Sequence, residues 1–135
     1  MKYLITLLLF SIIVMARELH WYDDYDAALK EAKKEHKLIY IFISSANCGW
    51  CQKFENTTLE DEGVKEQLSK NFIALHLVRD FDTIPTKFKV RPVPRHYFSD
   101  NKGKIIYDSL GYRSVDTFKA FMGYALEQTN TKEKQ

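Results

Sequence analysis

Several things are scarce in this 135-residue chain, and each scarcity narrows what it can be. Charge of one sign is missing: 20 Lys and Arg stand interleaved with 18 Asp and Glu, for a formal net charge of +2. Such a balance offers no one-signed face to a phosphate backbone or an acidic membrane, which argues against nucleic acid as a partner. No repeat, linker or low-complexity tract interrupts residues 17–128, and the length leaves room for one core only. The apolar stretch Leu4 to Met15 is shorter than the roughly 20 residues that cross a bilayer as a helix. Cysteine is limited to two residues, Cys48 and Cys51, so a disulfide-dense scaffold is excluded. Aromatic residues, by contrast, are plentiful at 14%, which suits a well-filled core.

The first sixteen residues differ in kind from the rest. Lys2 gives a positive start, an apolar segment follows, and Val14-Met15-Ala16 carries residues of the sort a signal peptidase reads. The expectation is a secretory signal, residues 1–16, cut before Arg17; an uncleaved anchor is the competing reading. The mature domain would then be residues 17–128, followed by a polar tail, 129–135. Its destination would be periplasmic or secreted, an oxidising setting in which disulfides persist.

Alternating elements are expected along the domain. Asp24 or Asp26 can cap a helix that turns Ala27, Ala28, Leu29 and Ala32 to the core. Leu38 to Ile43 reads as a strand buried on both faces, Gln52 to Leu59 as a helix, and Val64 to Leu68 as a shorter helix after Gly63. Phe72 to Val78 is a second buried strand, parallel to the first through a right-handed crossover. Tyr97 and Phe98, a turn at residues 99–103, and Lys104 to Leu110 spell an antiparallel hairpin. Ser114 can cap a last helix with Val115, Phe118, Phe121, Met122 and Leu126 along one stripe. The sum is an α/β fold of three layers, a mixed sheet flanked by helices.

Both cysteines fall where a buried strand ends and a helix begins, the kind of junction at which ligands and chemistry collect. At the first turn of a helix, unpaired N–H groups and the helix dipole favour a thiolate, so Cys48 is expected to be the nucleophile and Cys51, one turn deeper, the resolving thiol. Half of a zinc site is one alternative, but there is no second cysteine pair, and His20, His36, His76 and His96 lack ligand spacing, so no metal and no cofactor are expected. A purely structural staple is the other, though closing so short a loop stabilises little.

With Leu38 to Ile43 before Cys48-Gly49-Trp50-Cys51, then Val90 to Phe98 around Pro94, and Gly111-Tyr112 before the last helix, the sequence resembles the thioredoxin superfamily over nearly all of residues 20–128. Within it, Cys51 to Leu59 with Val64 and Leu68 is most similar to the secreted group that includes the C-terminal domain of the periplasmic reductase DsbD. The resemblance implies a cis peptide before Pro94, beside the cysteines; an edge-strand proline with a trans bond is the plain alternative. It also implies that Val93 and Pro94 hold a partner's extended chain. Phe42 stands where thioredoxin carries its buried Asp, and Glu55, one turn beyond Cys51, is the candidate to take the resolving thiol's proton, unless it is only a solvated surface residue. Ser44 and Asn47 replace the flanking aromatics, leaving Trp50 as the apolar contact for a partner or as a ring packed over the helix start.

These readings imply thiol–disulfide exchange on protein thiols or disulfides by a monomer that a membrane-bound donor recharges. Gly49-Trp50 brings no histidine or charge to stabilise the reduced state, which favours a reducing or middling potential. The rival is a non-catalytic module that binds proteins in the Pro94 groove.

Overall fold

The computed structural model describes residues 18–132. Five strands form one sheet: β1 (Trp21–Tyr22), β2 (Leu38–Ser44), β3 (Phe72–Val78), β4 (Arg95–Ser99) and β5 (Ile105–Leu110). Their spatial order is β1-β3-β2-β4-β5. β2 and β3 run parallel with Phe42 opposite His76, whereas β4 runs antiparallel to β2 with His96 opposite Phe42. The mixed sheet expected from the order of elements is therefore present. The edge strand β1, two residues paired in parallel with β3, is too short to leave a periodic signal and was not anticipated.

Four helices cover the sheet: α1 (Tyr25–Glu35), α2 (Gly49–Asn56), α3 (Glu62–Asn71) and α4 (Val115–Lys132). On one face, α1 lays Tyr25, Ala28 and Ala32 on Ile39, Ile41, Ile43, Leu75 and Leu77. Asp24 is its cap, accepting the Ala27 N–H at 2.8 Å. That register sends Ala27 to solvent, contrary to the expected stripe. On the opposite face α2, α3 and α4 pack Phe54, Leu68, Phe118 and Met122 around Tyr40, Phe42 and Phe98.

Three helices have limits that differ from expectation. The helix carrying the cysteines begins at Gly49 and gives way at Thr57 (φ −121°, ψ −74°) to a 3-10 turn, Thr58–Glu60, that still buries Leu59. α3 starts before Gly63 because Asp61 caps it, its Oδ1 accepting the Val64 N–H at 2.9 Å. α4 extends through Lys132, so most of the segment expected as a polar tail is helical. Intrahelical bonds from the Thr129 and Thr131 hydroxyls to the Leu126 and Glu127 carbonyls support that last stretch. Among the described residues no helix is long and apolar enough to cross a membrane; the leader expected at 1–16 lies outside them.

Candidate active site

The site is built at the C-terminal end of β2. Leaving the sheet at Ser44, the chain turns through residues 45–47, where Asp80 Oδ2 accepts the Ala46 N–H at 2.7 Å, and enters α2. Cys48 is not in the first turn, as expected, but one position earlier, at the cap. Its backbone is extended (φ −142°, ψ 101°), and its sulfur accepts the Cys51 N–H at 3.1 Å. Hence Sγ itself occupies the place of a capping oxygen, in front of the positive end of the helix. When the pair is reduced, that N–H and the dipole stabilise a Cys48 thiolate.

Cys48 and Cys51 are joined in a disulfide, their Cα atoms 5.3 Å apart. Cys51 is 2% exposed and belongs to the core cluster of Phe42 and Phe54, whereas Cys48 is half-buried. The two sulfurs thus differ in access as the attacking and resolving roles require. Beside them, the Arg91–Pro92 and Val93–Pro94 peptides are both cis. The second matches the expectation for Pro94. Pro94 is buried and its carbonyl accepts the Gly111 N–H at 2.8 Å, which ties this loop to the end of β5. Val93 is half-buried, and its backbone N–H and C=O enter none of the loop hydrogen bonds among the described residues. They are placed to pair with an incoming extended chain.

Cys48, Trp50, Arg79, Arg91, Pro92 and Val93 line an open groove of about 530 Å³. Trp50 is 60% exposed, with Lys53 Nζ 5.1 Å above its ring and 4.8 Å from that of Tyr112, so it lies on the surface rather than packed into the helix start.

Beneath the cysteines, Phe42 fills the middle of the sheet, fully buried and stacked between His76 (4.6 Å, 21°) and His96 (5.8 Å, 10°). His96 bridges Tyr40 Oη at 2.7 Å and the Gly111 carbonyl at 2.8 Å. The carbonyl only accepts, so Nε2 carries the proton and Nδ1 accepts the Tyr40 hydroxyl. Burial pushes the imidazole down to about 4 and keeps it neutral.

Glu55 lines a second cavity, of about 450 Å³, with Trp21, Phe42, Leu59 and His76. Its Oε1 lies 3.6 Å from His76 Nδ1, and His76 Nε2 is 2.7 Å from Ser44 Oγ. Glu55 is accordingly not a freely solvated helix-surface residue. Burial raises its carboxyl above the ordinary range and lowers His76, partly offset by Asp82, so the contact joins a carboxylate to a neutral ring. Cys51 and Glu55 share one stripe of α2, four residues apart.

The contact of His76 with Ser44 and Glu55 depends on the β2–β3 register, and the placing of Arg79 and Arg91 beside Cys48 on the path of the loop between β3 and β4, neither of which local sequence carries. His20 packs on Tyr22, and His36 ends α1 in a left-handed turn (φ 54°). Among the described residues no three His, Cys, Asp or Glu side chains are grouped to hold a metal ion.

A family model described as a thioredoxin-like domain matches residues 25–126. Among solved structures, a thioredoxin from Thermus thermophilus superposes with a TM-score of 0.67 at 23% identity, covering 78% of this chain and 85% of that one. A structure titled DsbH oxidoreductase gives 0.64 at 21% identity, with 83% and 87% covered. Spermatogenesis-associated protein 20 from Rattus norvegicus is 30% identical over 60 residues, 44% of this chain. This chain spans only 8% of that relative's length.

Proposed function

The chain belongs to the family of thioredoxin-like domains, and from that premise we propose that it is a thiol–disulfide oxidoreductase working through the Cys48–Cys51 couple as a protein disulfide reductase. One observation carries the reading: a partly buried cysteine at a helix cap, bonded to a fully buried one, opens on a groove bordered by the cis Val93–Pro94 peptide.

In the reducing direction, a client's extended segment pairs with the backbone of Val93, and the Cys48 thiolate attacks one sulfur of its disulfide. A Cys48–client bond forms, the client's own S–S bond breaks, and the released sulfur takes a proton. Glu55 then accepts the Cys51 proton, directly or through water in the cavity it lines, and the Cys51 thiolate attacks Cys48; the Cys48–client bond breaks and the departing sulfur takes the proton that Glu55 holds. The client leaves as a dithiol and the enzyme as the disulfide. His76 keeps the Glu55 carboxylate turned to the sheet, while burial makes Glu55 a stronger base than an ordinary carboxylate.

The chain is further placed with the secreted DsbD-type reductases, acting as a monomer in the periplasm or outside the cell and recharged by a membrane-bound donor. The apolar leader at 1–16 and the carboxylate four residues beyond Cys51 support this. The test uses protein recovered after export, with its N-terminus expected at Arg17, in an insulin-reduction assay recharged by dithiothreitol. The wild type should precipitate the insulin B chain well above background, and Cys48→Ser should fall to background. A wild type as silent as that variant would leave only a protein-binding role.

A further inference from the structure

Arginine is uncommon in this chain, five residues against fifteen lysines, yet three of the five gather at one place. Arg79 follows β3 and donates from Nη1 to the Val90 carbonyl at 3.3 Å; Arg95 opens β4 and donates from Nη2 to the Arg91 carbonyl at 3.3 Å. Arg79 and exposed Arg91 line the same groove as Cys48. Across Trp50, Lys53 adds a further cation. Among the described residues, none of the ion pairs includes Arg79, Arg91 or Arg95.

The nearby carboxylates are otherwise engaged. Asp80 accepts the Ala46 N–H and Asp82 the Val78 N–H, both at 2.7 Å. The Nε atoms of Arg79 and Arg95 are buried without a hydrogen-bond partner. Backbone carbonyls therefore fix the Arg79 and Arg95 side chains, and among the described residues no carboxylate forms an ion pair with either. Among the described residues that line the groove, the charged ones are Arg79 and Arg91, both positive. Guanidinium groups present flat, paired donors that match a carboxylate, which a lysine cannot do.

We infer that this groove selects extended client segments carrying Asp or Glu beside their cystine, with Arg79 and Arg91 receiving the carboxylates while Cys48 meets the sulfur. The inference rests on the disulfide-exchange reading and names the client chemistry that reading leaves open. The complementary field raises the rate of productive encounter, and salt weakens it. Each turnover moves two electrons from the Cys48–Cys51 dithiol to the client disulfide, and dithiothreitol restores the dithiol.

The experiment uses two synthetic peptides of equal length, each with one intramolecular cystine, one flanked by Glu on both sides and one by Lys. Their kcat/KM values are measured with dithiothreitol as donor, subtracting its direct reaction. The ratio of the two is the readout, because any change in Cys48 reactivity cancels from it. In low salt the Glu peptide should be preferred by about 10-fold, narrowing to about 2-fold in 0.5 M salt. Arg91→Glu should bring the ratio to about 1 or invert it, while Arg91→Lys should retain a weaker preference. Equal rates for the two peptides in low salt, or a preference that survives Arg91→Glu, would overturn the inference and leave disulfide exchange standing. If neither peptide is reduced above background, both fall together.

Discussion

Strand β2 shows Ile39, Ile41 and Ile43 to one side of the sheet and Leu38, Tyr40, Phe42 and Ser44 to the other, and the two sides are built from different material. Under α1 the core is mainly aliphatic, Leu75 and Leu77 from β3 joining the isoleucines, with Tyr25, Phe88 and Tyr97 as its aromatic members. Under α2 and α4 it is aromatic and punctuated by polar atoms: the Tyr40 hydroxyl, Ser44, His76, His96 and, at its edge, Cys51 and Glu55. The isoleucines and leucines there serve stability alone, since they offer no atom that can hold or pass a proton. The aromatic face also fills volume, yet each polar group on it is tied to a named partner, which keeps burial affordable and sets protonation near the sulfurs.

The largest expected effect compares the two faces directly. Ile41→Ala and Phe42→Ala each open a cavity in a fully buried position, and urea unfolding should show losses of about 2–5 and 3–5 kcal/mol respectively. Their activities should part. Per folded molecule, insulin reduction by Ile41→Ala should match the wild type, whereas Phe42→Ala, which removes the ring packed with Cys51 and between two histidines, should alter it. Equal activity changes in both variants would erase the distinction between the faces.

A second effect belongs to the aromatic face only. His96 is fully buried, and its value of about 4 lies below the roughly 6.5 of an unfolded histidine. A depressed histidine means the folded state binds its proton less readily than the unfolded one. The stabilisation is therefore complete above about pH 6.5 and lost as pH falls towards 4, amounting to about 3 kcal/mol. His76, also lowered, acts in the same direction. Urea midpoints at pH 7, 5.5 and 4 should decline in the wild type. In His96→Gln, which can still donate to Gly111 and accept from Tyr40, that portion of the decline should vanish. Parallel pH curves for the two proteins would refute the assignment.

The contrast between the faces also marks what the sequence could convey. Leu38 to Ile43 is an unbroken apolar run, so its burial on both sides was legible, but such a run does not say which face meets which helix. Cys48 and Cys51 were legible because local spacing carries them, and Pro94 through the resemblance to the thioredoxin superfamily. His76 and His96 were not: each lies opposite Phe42 only through strand register, a long-range pairing with no local signature. Arg79 and Arg91, twelve residues apart, meet only because the loop after β3 folds back on itself, which local sequence does not show either. Helix limits shifted by a few residues because caps decided them. Asp61 opened α3 ahead of its glycine, and Thr57 closed α2 ahead of Leu59.

The smallest effect is the most discriminating, because stability and activity should move in opposite senses. Burial raises the Glu55 carboxyl, so the fold holds its proton more tightly than the unfolded chain does, and stability declines as pH rises through its folded value. At pH 7 the ionised side chain is thus a mild burden on the fold, and Glu55→Gln, of the same size and uncharged, should be as stable as the wild type or slightly more so. Exchange should slow by about 10-fold, at the resolving step, because amide cannot accept the Cys51 proton and water must. Stopped-flow decay of the mixed disulfide, followed against pH, checks this: the wild-type rate should fall as Glu55 protonates at acid pH, and the variant should lose that inflection. A variant that resolves at the wild-type rate would confine Glu55 to the cavity wall, and the aromatic face would then contribute neutral packing but no proton acceptor.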